Sequence, residues 1–227
     1  MLGARKFLLT ALLITIASFT SVLAQDFEPD SKANTNIGFP LTVPVGSTSN
    51  FSHIGTGLTV GGGYNFDHHN AFVGEFLWTW LYPTEESLDP LRPFTATGNL
   101  NGHSNVFVIT GNYRYELRGQ RFGTYFIGGI GYYYRNASRT EGVAPAAGTP
   151  CTSTWQWWGF RCIGTTVETP VTTSTFPTGG IGGNAGVGIT IRMSEHPRYR
   201  AYIEARYHYA PGTFTLRLIP ITVGVRF

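Results

Sequence analysis

Lysine is nearly missing from this chain. Of its 227 residues only Lys6 and Lys32 are lysines, and Asp, Glu, Lys and Arg together make up 13%. A soluble β-protein normally studs its outer face and strand edges with Lys and Glu, so that class fits poorly. The net charge is close to neutral once Arg5 and Lys6 are set aside, and no basic surface for nucleic acid is indicated. Cysteine is scarce as well. Cys151 and Cys162 are the only two, with no further ligand at metal-site spacing. Long apolar runs are absent beyond residue 19, and the mean hydropathy is −0.03. A spanning helix needs about 20 apolar residues, so no spanning helix is read beyond residue 19. Membrane barrels are not excluded, because they place lipid-facing residues only at alternate positions.

The exception to that blandness is the N-terminus. Arg5 and Lys6 form a basic n-region, and Phe7 to Phe19 is almost unbroken apolar sequence. Val22-Leu23-Ala24 supplies a cleavage site. This pattern predicts a signal peptide over residues 1–24, cut after Ala24, and a single mature domain over 25–227. An uncleaved anchor is the alternative, disfavoured by the short apolar run. In an exported chain an even pair of cysteines suggests one disulfide, Cys151 to Cys162.

What the chain does have is glycine (29) and aromatics (16 Phe, 12 Tyr, 5 Trp). Apolar residues alternate with small or polar ones, the mark of half-buried strands. Ile219, Ile221, Val223, Val225 and Phe227 share one face of the last strand, opposite Pro220, Thr222, Gly224 and Arg226. Similar alternation recurs near residues 58–66, 72–82, 107–117, 181–192 and 200–209. Phe122 to Tyr134 is strand-like with both faces apolar or glycine, so its facing is unassigned. Ile37 to Val45 alternates too, although Pro40 and Pro44 remove ladder donors. It makes the count even, at eight.

Connection lengths give the topology. Tight polar turns at residues 67–70, 118–121 and 194–197 alternate with connections near 46–53, 83–103, 137–177 and 211–217. Short turns on one side and longer loops on the other are the asymmetry of transmembrane barrels, in which the short turns are periplasmic. The expected fold is an all-β, eight-stranded, antiparallel up-and-down transmembrane barrel.

The same alternation would suit a lipocalin-like barrel with its apolar face inside. The polar face arbitrates. It is rich in Gly, Thr and Asn and carries Glu75, Arg114, Glu116, Arg192, Glu204, Arg206 and Arg226. That makes a poor solvated surface and a good narrow interior in which opposite charges pair. Aromatics near strand ends, such as Trp78 to Tyr82, Tyr132 to Tyr134, Tyr207 and Tyr209, suit membrane–water girdles.

The terminal Phe227, with Val225, Val223, Ile221 and Ile219 behind it, resembles the C-terminal signal of bacterial outer-membrane proteins. In that family this strand is read by the barrel-assembly machinery. From about Asn34 to Phe227 the chain is similar to the small eight-stranded outer-membrane proteins. That group contains the transmembrane domain of outer membrane protein A and the opacity-type proteins. The resemblance implies residence in outer-membrane lipid, with long loops extracellular and both termini periplasmic. In one respect the resemblance departs from some relatives: the periplasmic peptidoglycan-binding domain they carry is not expected here.

No catalytic, cofactor or metal site is expected. The inner charges read as an ion-pair network, since an eight-stranded barrel has room only for its own side chains; a narrow solute path is the alternative. His208, beside Glu204 and Arg206, lacks a serine on its strand and points inward, against a lipid-modifying hydrolase. His68 and His69 beside Asp67 read as a turn. The connection over 137–177 carries Trp155, Trp157, Trp158 and Phe160 between the cysteines, candidates for binding an extracellular ligand. It could also form a hairpin, with Thr165 to Val171 as one arm. The leading function is a non-enzymatic barrel that presents surface loops.

Overall fold

Strands that are apolar on one face only can satisfy every backbone N–H and C=O within lipid by closing into a cylinder. The computed structural model does this, and it describes residues 32–89, 100–119, 121–143, 154–156, 159–161, 169–193, 199–212 and 215–227. Eight strands form the barrel: β1 (Ala33–Pro44), β2 (Gly55–Asn65), β3 (Asn70–Leu81), β4 (Leu100–Arg118), β5 (Phe122–Val143), β8 (Thr169–Arg192), β9 (Arg200–Ala210) and β10 (Leu216–Arg226). They close in the order β1-β10-β9-β8-β5-β4-β3-β2, and every neighbouring pair is antiparallel. Two short strands, β6 (Thr154–Gln156) and β7 (Gly159–Arg161), pair separately as a hairpin. The expected signal segment, 1–24, lies outside the described residues.

The first strand forms despite its prolines, and the register shows how. The β1–β10 ladder runs unbroken from Asn36↔Arg226 to Pro44↔Leu218. The β1–β2 ladder skips Phe39 and Pro40, and the β10–β9 ladder skips Ile219 and Pro220. In an antiparallel strand a residue directs its N–H and C=O to the same neighbour. Pro40 and Pro220 therefore weaken only the ladders away from the seam where the barrel closes.

Facing follows the alternation. Ile37, Phe39, Leu41, Ile109, Phe126, Ile130, Ile181, Val187, Ile203 and Val223 are exposed. In water this belt would be an apolar patch far beyond what soluble monomers show; against lipid it is the required surface. From Phe72 to Tyr82 the rise is roughly 25 Å, at about 3.3 Å per residue and about 40° tilt. That matches the apolar band of such barrels. The strand with unassigned facing is now placed: Tyr125, Ile127 and Tyr133 are buried inside, and Phe122, Phe126, Ile130, Tyr132 and Tyr134 face out. Tyr133 therefore leaves the expected girdle, of which Tyr132 and Tyr134 remain members.

Four departures from the sequence expectation matter. First, the interior is not polar throughout. Leu77, Leu81, Val106, Val108, Tyr133, Ala210, Leu216 and Leu218 form a buried apolar cluster across its loop-side half. Second, the 137–177 connection is largely strand at its ends. β5 continues to Val143 and β8 begins at Thr169, paired throughout with one register shift between Arg139 and Thr140. Pairing satisfies the backbone of Thr- and Ser-rich segments that read as loop by composition. Third, the connections are not free of helix. Gly46–Asn50 is a 3-10 turn, and Glu85–Leu88 is a single α-helical turn, α1. Strand β4 also starts earlier than expected, at Leu100.

Candidate functional site

The turn-side half of the interior is built from alternate residues of all eight barrel strands. Two charge clusters occupy it. In the first, Arg206 lies between two carboxylates: Nη1 is 2.5 Å from Glu75 Oε2, and Nη2 is 2.5 Å from Glu204 Oε1. Asn36 and Asn112 donate to Glu75 at 3.1 and 2.9 Å, and the Tyr125 hydroxyl donates to Glu204 at 2.9 Å. Short distances and several donors per carboxylate are what a buried ion pair needs to offset its desolvation.

The second cluster is looser and unbalanced. Glu116 faces Arg226 at 3.4 Å, Arg114 and Arg118 at 3.6 Å, and Arg200 at 3.9 Å. Thr190 also donates to it, at 3.4 Å. The Arg226 guanidinium lies 4.8 Å from the centroid of the Tyr125 ring and 5.4 Å from that of Tyr202, a cation–π arrangement. Of the charged residues read from the sequence, Glu75, Arg114, Glu116, Glu204, Arg206 and Arg226 thus come together in two groups. Arg192 is half-buried on the same inner face, beside Arg200 in the register.

Arg118 and Arg200 belong to the second cluster and were missed as members. Their parity, continuing 114-116-118 and 200-204-206, could have found them. Tyr125 could not have been found, because both faces of its strand read as apolar.

At the opposite end, the inner face of the strand extension and the connections after β1 and β3 enclose a crevice of about 240 Å³. Phe51, Pro83, Leu88, Ala137 and Phe176 line it with Arg135, whose Nε donates to Ser104 Oγ at 2.9 Å. Trp155 and Phe160 are paired across the β6–β7 hairpin. Trp157, Trp158, Cys151 and Cys162 lie outside the described residues.

The model of the outer membrane protein beta-barrel domain matches residues 9–227. The chain belongs to that family. No curated protein matches its sequence. Among solved structures, Neisserial surface protein A is 14% identical with a TM-score of 0.50, covering 86% of this chain and 96% of that one. Ail, the attachment invasion locus protein of Yersinia pestis, solved in complex with the heparin analogue sucrose octasulfate, is 15% identical with a TM-score of 0.48, covering 86% and 97%. The N-terminal β-barrel domain of Pseudomonas aeruginosa OprF is 10% identical with a TM-score of 0.41, covering 87% and 98%. At such identities the likeness to Neisserial surface protein A is one of fold.

In this outer-membrane barrel the remaining candidates have structural surroundings. His208 is buried, with Nδ1 3.0 Å from the Tyr133 hydroxyl and its ring edge-on to the Tyr133 ring. Asp67 spends its carboxylate on the turn. It accepts from the backbone N–H of His69 and Asn70 at 2.8 and 2.7 Å and from the Asn70 side chain. This holds its carboxyl below the ordinary value, with the Asn70 side-chain hydrogen bond the largest cause. Ile219, Ile221, Val223 and Val225 lie along the outer face of β10, and Phe227 follows its last residue. Phe227 exchanges backbone hydrogen bonds with Thr35 at 2.7 and 2.9 Å.

Proposed function

We propose that this outer-membrane barrel is a non-enzymatic protein that holds a β-sheet wall and its connecting loop at the cell surface, with the short turns and both termini in the periplasm. One observation carries the reading. Strands β5 and β8 are 22 and 24 residues long, and β4 is 19, against 11 or 12 for β1, β2, β3, β9 and β10. Residues 135–143 alone extend the ladder by roughly 30 Å at about 3.3 Å per residue. A wall of that length serves no purpose within the bilayer, and it ends at residues 144–168, where the loop aromatics cluster.

Trp155, Trp157, Trp158 and Phe160 are the binding anchors of this reading, and a disulfide between Cys151 and Cys162 pins the hairpin that carries them. The partner is an extracellular ligand of unassigned chemistry. The terminal strand, ending in Phe227, is the segment handed to the barrel-assembly machinery. Two observations weigh against the other readings. The apolar cluster around Leu81 and Leu218 obstructs a solute path. His208 is enclosed with Tyr133 rather than presented to a lipid substrate.

The test is an epitope inserted among residues 144–150 and probed on intact cells. Antibody binding without permeabilisation is expected. Binding only after lysis would put this end in the periplasm and sink the reading. Thiol labelling of the unfolded, non-reduced protein checks the disulfide separately: no label is expected.

A further inference from the structure

The Glu116 cluster has more positive charge than its own carboxylate can offset. Four guanidinium groups lie within 4 Å of that single side chain. The register makes the imbalance worse. Arg200 on β9 and Arg226 on β10 stand directly opposite one another. Like charges directly opposite on neighbouring strands repel. The donors are also incompletely used. Nε of Arg226 is buried without a hydrogen-bond partner among the described residues, on a side chain 8% exposed, and Nε of Arg114 reaches Glu116 Oε2 only at 3.6 Å, beyond hydrogen-bond distance. Nε of Arg118 stands at the same 3.6 Å from the same oxygen. A buried charged donor left without an acceptor is costly. The neighbouring Arg206 cluster, with its 2.5 Å contacts, has no such surplus.

Planar guanidinium groups converging on one point, with N–H donors that one carboxylate does not saturate, suit a tetrahedral oxyanion. We propose that the turn-side mouth of the barrel binds a phosphate-type oxyanion, held by Arg118 and Arg200 nearer the opening and by Arg114 and Arg226 at greater burial. Arg118 and Arg200 are the more open of the four, 16% and 10% exposed, and give the anion its way in. The anion supplies the negative charge that Glu116 alone cannot. The inference is independent of what the loops bind.

The experiment uses the folded, mature full-length barrel in a zwitterionic detergent. Inorganic phosphate is titrated against chloride at constant pH and ionic strength, following heat released and Tm. Saturable binding is expected, with Tm rising by roughly 5–10 °C near 100 times Kd. Arg118→Gln with Arg200→Gln should weaken phosphate binding at least about tenfold. Glu116→Gln removes the competing carboxylate and should tighten it, so that this variant gains more Tm from phosphate than the parent. A purely structural cluster would not give that opposite sign. A second arm uses a soluble short-chain phosphatidic acid. If it binds and inorganic phosphate does not, and the arginine variants lose it, the oxyanion is a lipid headgroup. Equal Tm in phosphate and chloride with no effect of the lipid, or affinity unchanged in the double arginine variant, overturns the proposal.

Discussion

The ring of Tyr125 on β5 lies over the bare backbone of Gly188 on β8, their registered partner position. A Cβ at Gly188 would fall 2.2 Å from Tyr125 Cζ. That clearance lets the Tyr125 hydroxyl reach Glu204 and lets its face receive Arg226. Glycine here is a packing requirement rather than a backbone one.

Gly188→Ala is therefore expected to displace Tyr125 and destabilise the barrel by about 1–3 kcal/mol, as overpacking does. Gly62 on β2 is the control. It faces lipid, and the nearest atom to an added Cβ is 3.9 Å away. Gly62→Ala should change stability by no more than about 0.5 kcal/mol. Urea unfolding of both variants in lipid vesicles, followed by Trp fluorescence, checks the contrast. Similar losses in the two would refute the packing argument.

Arg206 is the shared partner of Glu75 and Glu204, so deleting it strands two buried carboxylates. Arg206→Met should cost about 3–5 kcal/mol. Adding Glu75→Gln and Glu204→Gln removes the stranded charges and should recover a large part of that loss. The unfolding free energies of the single and triple variants decide it: additive, worsening losses would mean the residues act through shape alone.

The fold was legible because the period of two survives along most strands, and parity alone put Glu75, Arg114, Glu116, Glu204, Arg206 and Arg226 inside. Three features resisted. On β5, Gly and aromatic residues occupy both faces, so nothing in the pattern distinguishes Tyr125 from Phe126. Only the ladders to Glu116 and Gly188 fix it. The apolar cluster escaped notice because Leu81, Leu216 and Leu218 sit at or beyond the ends of the alternating runs, where parity is easily abandoned. The extension of β5 and β8 is encoded by pairing between residues far apart in the chain, Ser138 with Thr175 for example. Composition along the chain carries no sign of it.

Leu81 and Leu218 are fully buried members of the cluster that closes the lumen. The wild-type barrel should show no conductance in planar bilayers. Leu81→Ala with Leu218→Ala removes bulk from that seal, at about 2–5 kcal/mol per site. If the double variant stays folded, shown by its heat-dependent gel shift, small openings are expected. They should prefer anions, since the described inner face beyond the cluster carries more arginine than glutamate. Conductance in the wild type would mean that the cluster is not a seal.

The Asp67 turn gives a pH dependence with a definite sign. Its carboxyl is held below the ordinary value, first by the Asn70 side chain and then by the His69 backbone N–H. A group depressed in the folded state contributes stability that is present above its unfolded pKa and lost as pH falls through the folded one. The turn should therefore be intact at neutral pH and loosen only below about pH 4. Asp67→Asn keeps a side-chain acceptor suited to the turn but cannot titrate. Amide exchange at His69 and Asn70 reads the outcome directly. Protection should fall with acid in the parent and stay flat in the variant, whereas parallel acid loss in both would assign the titration to another group.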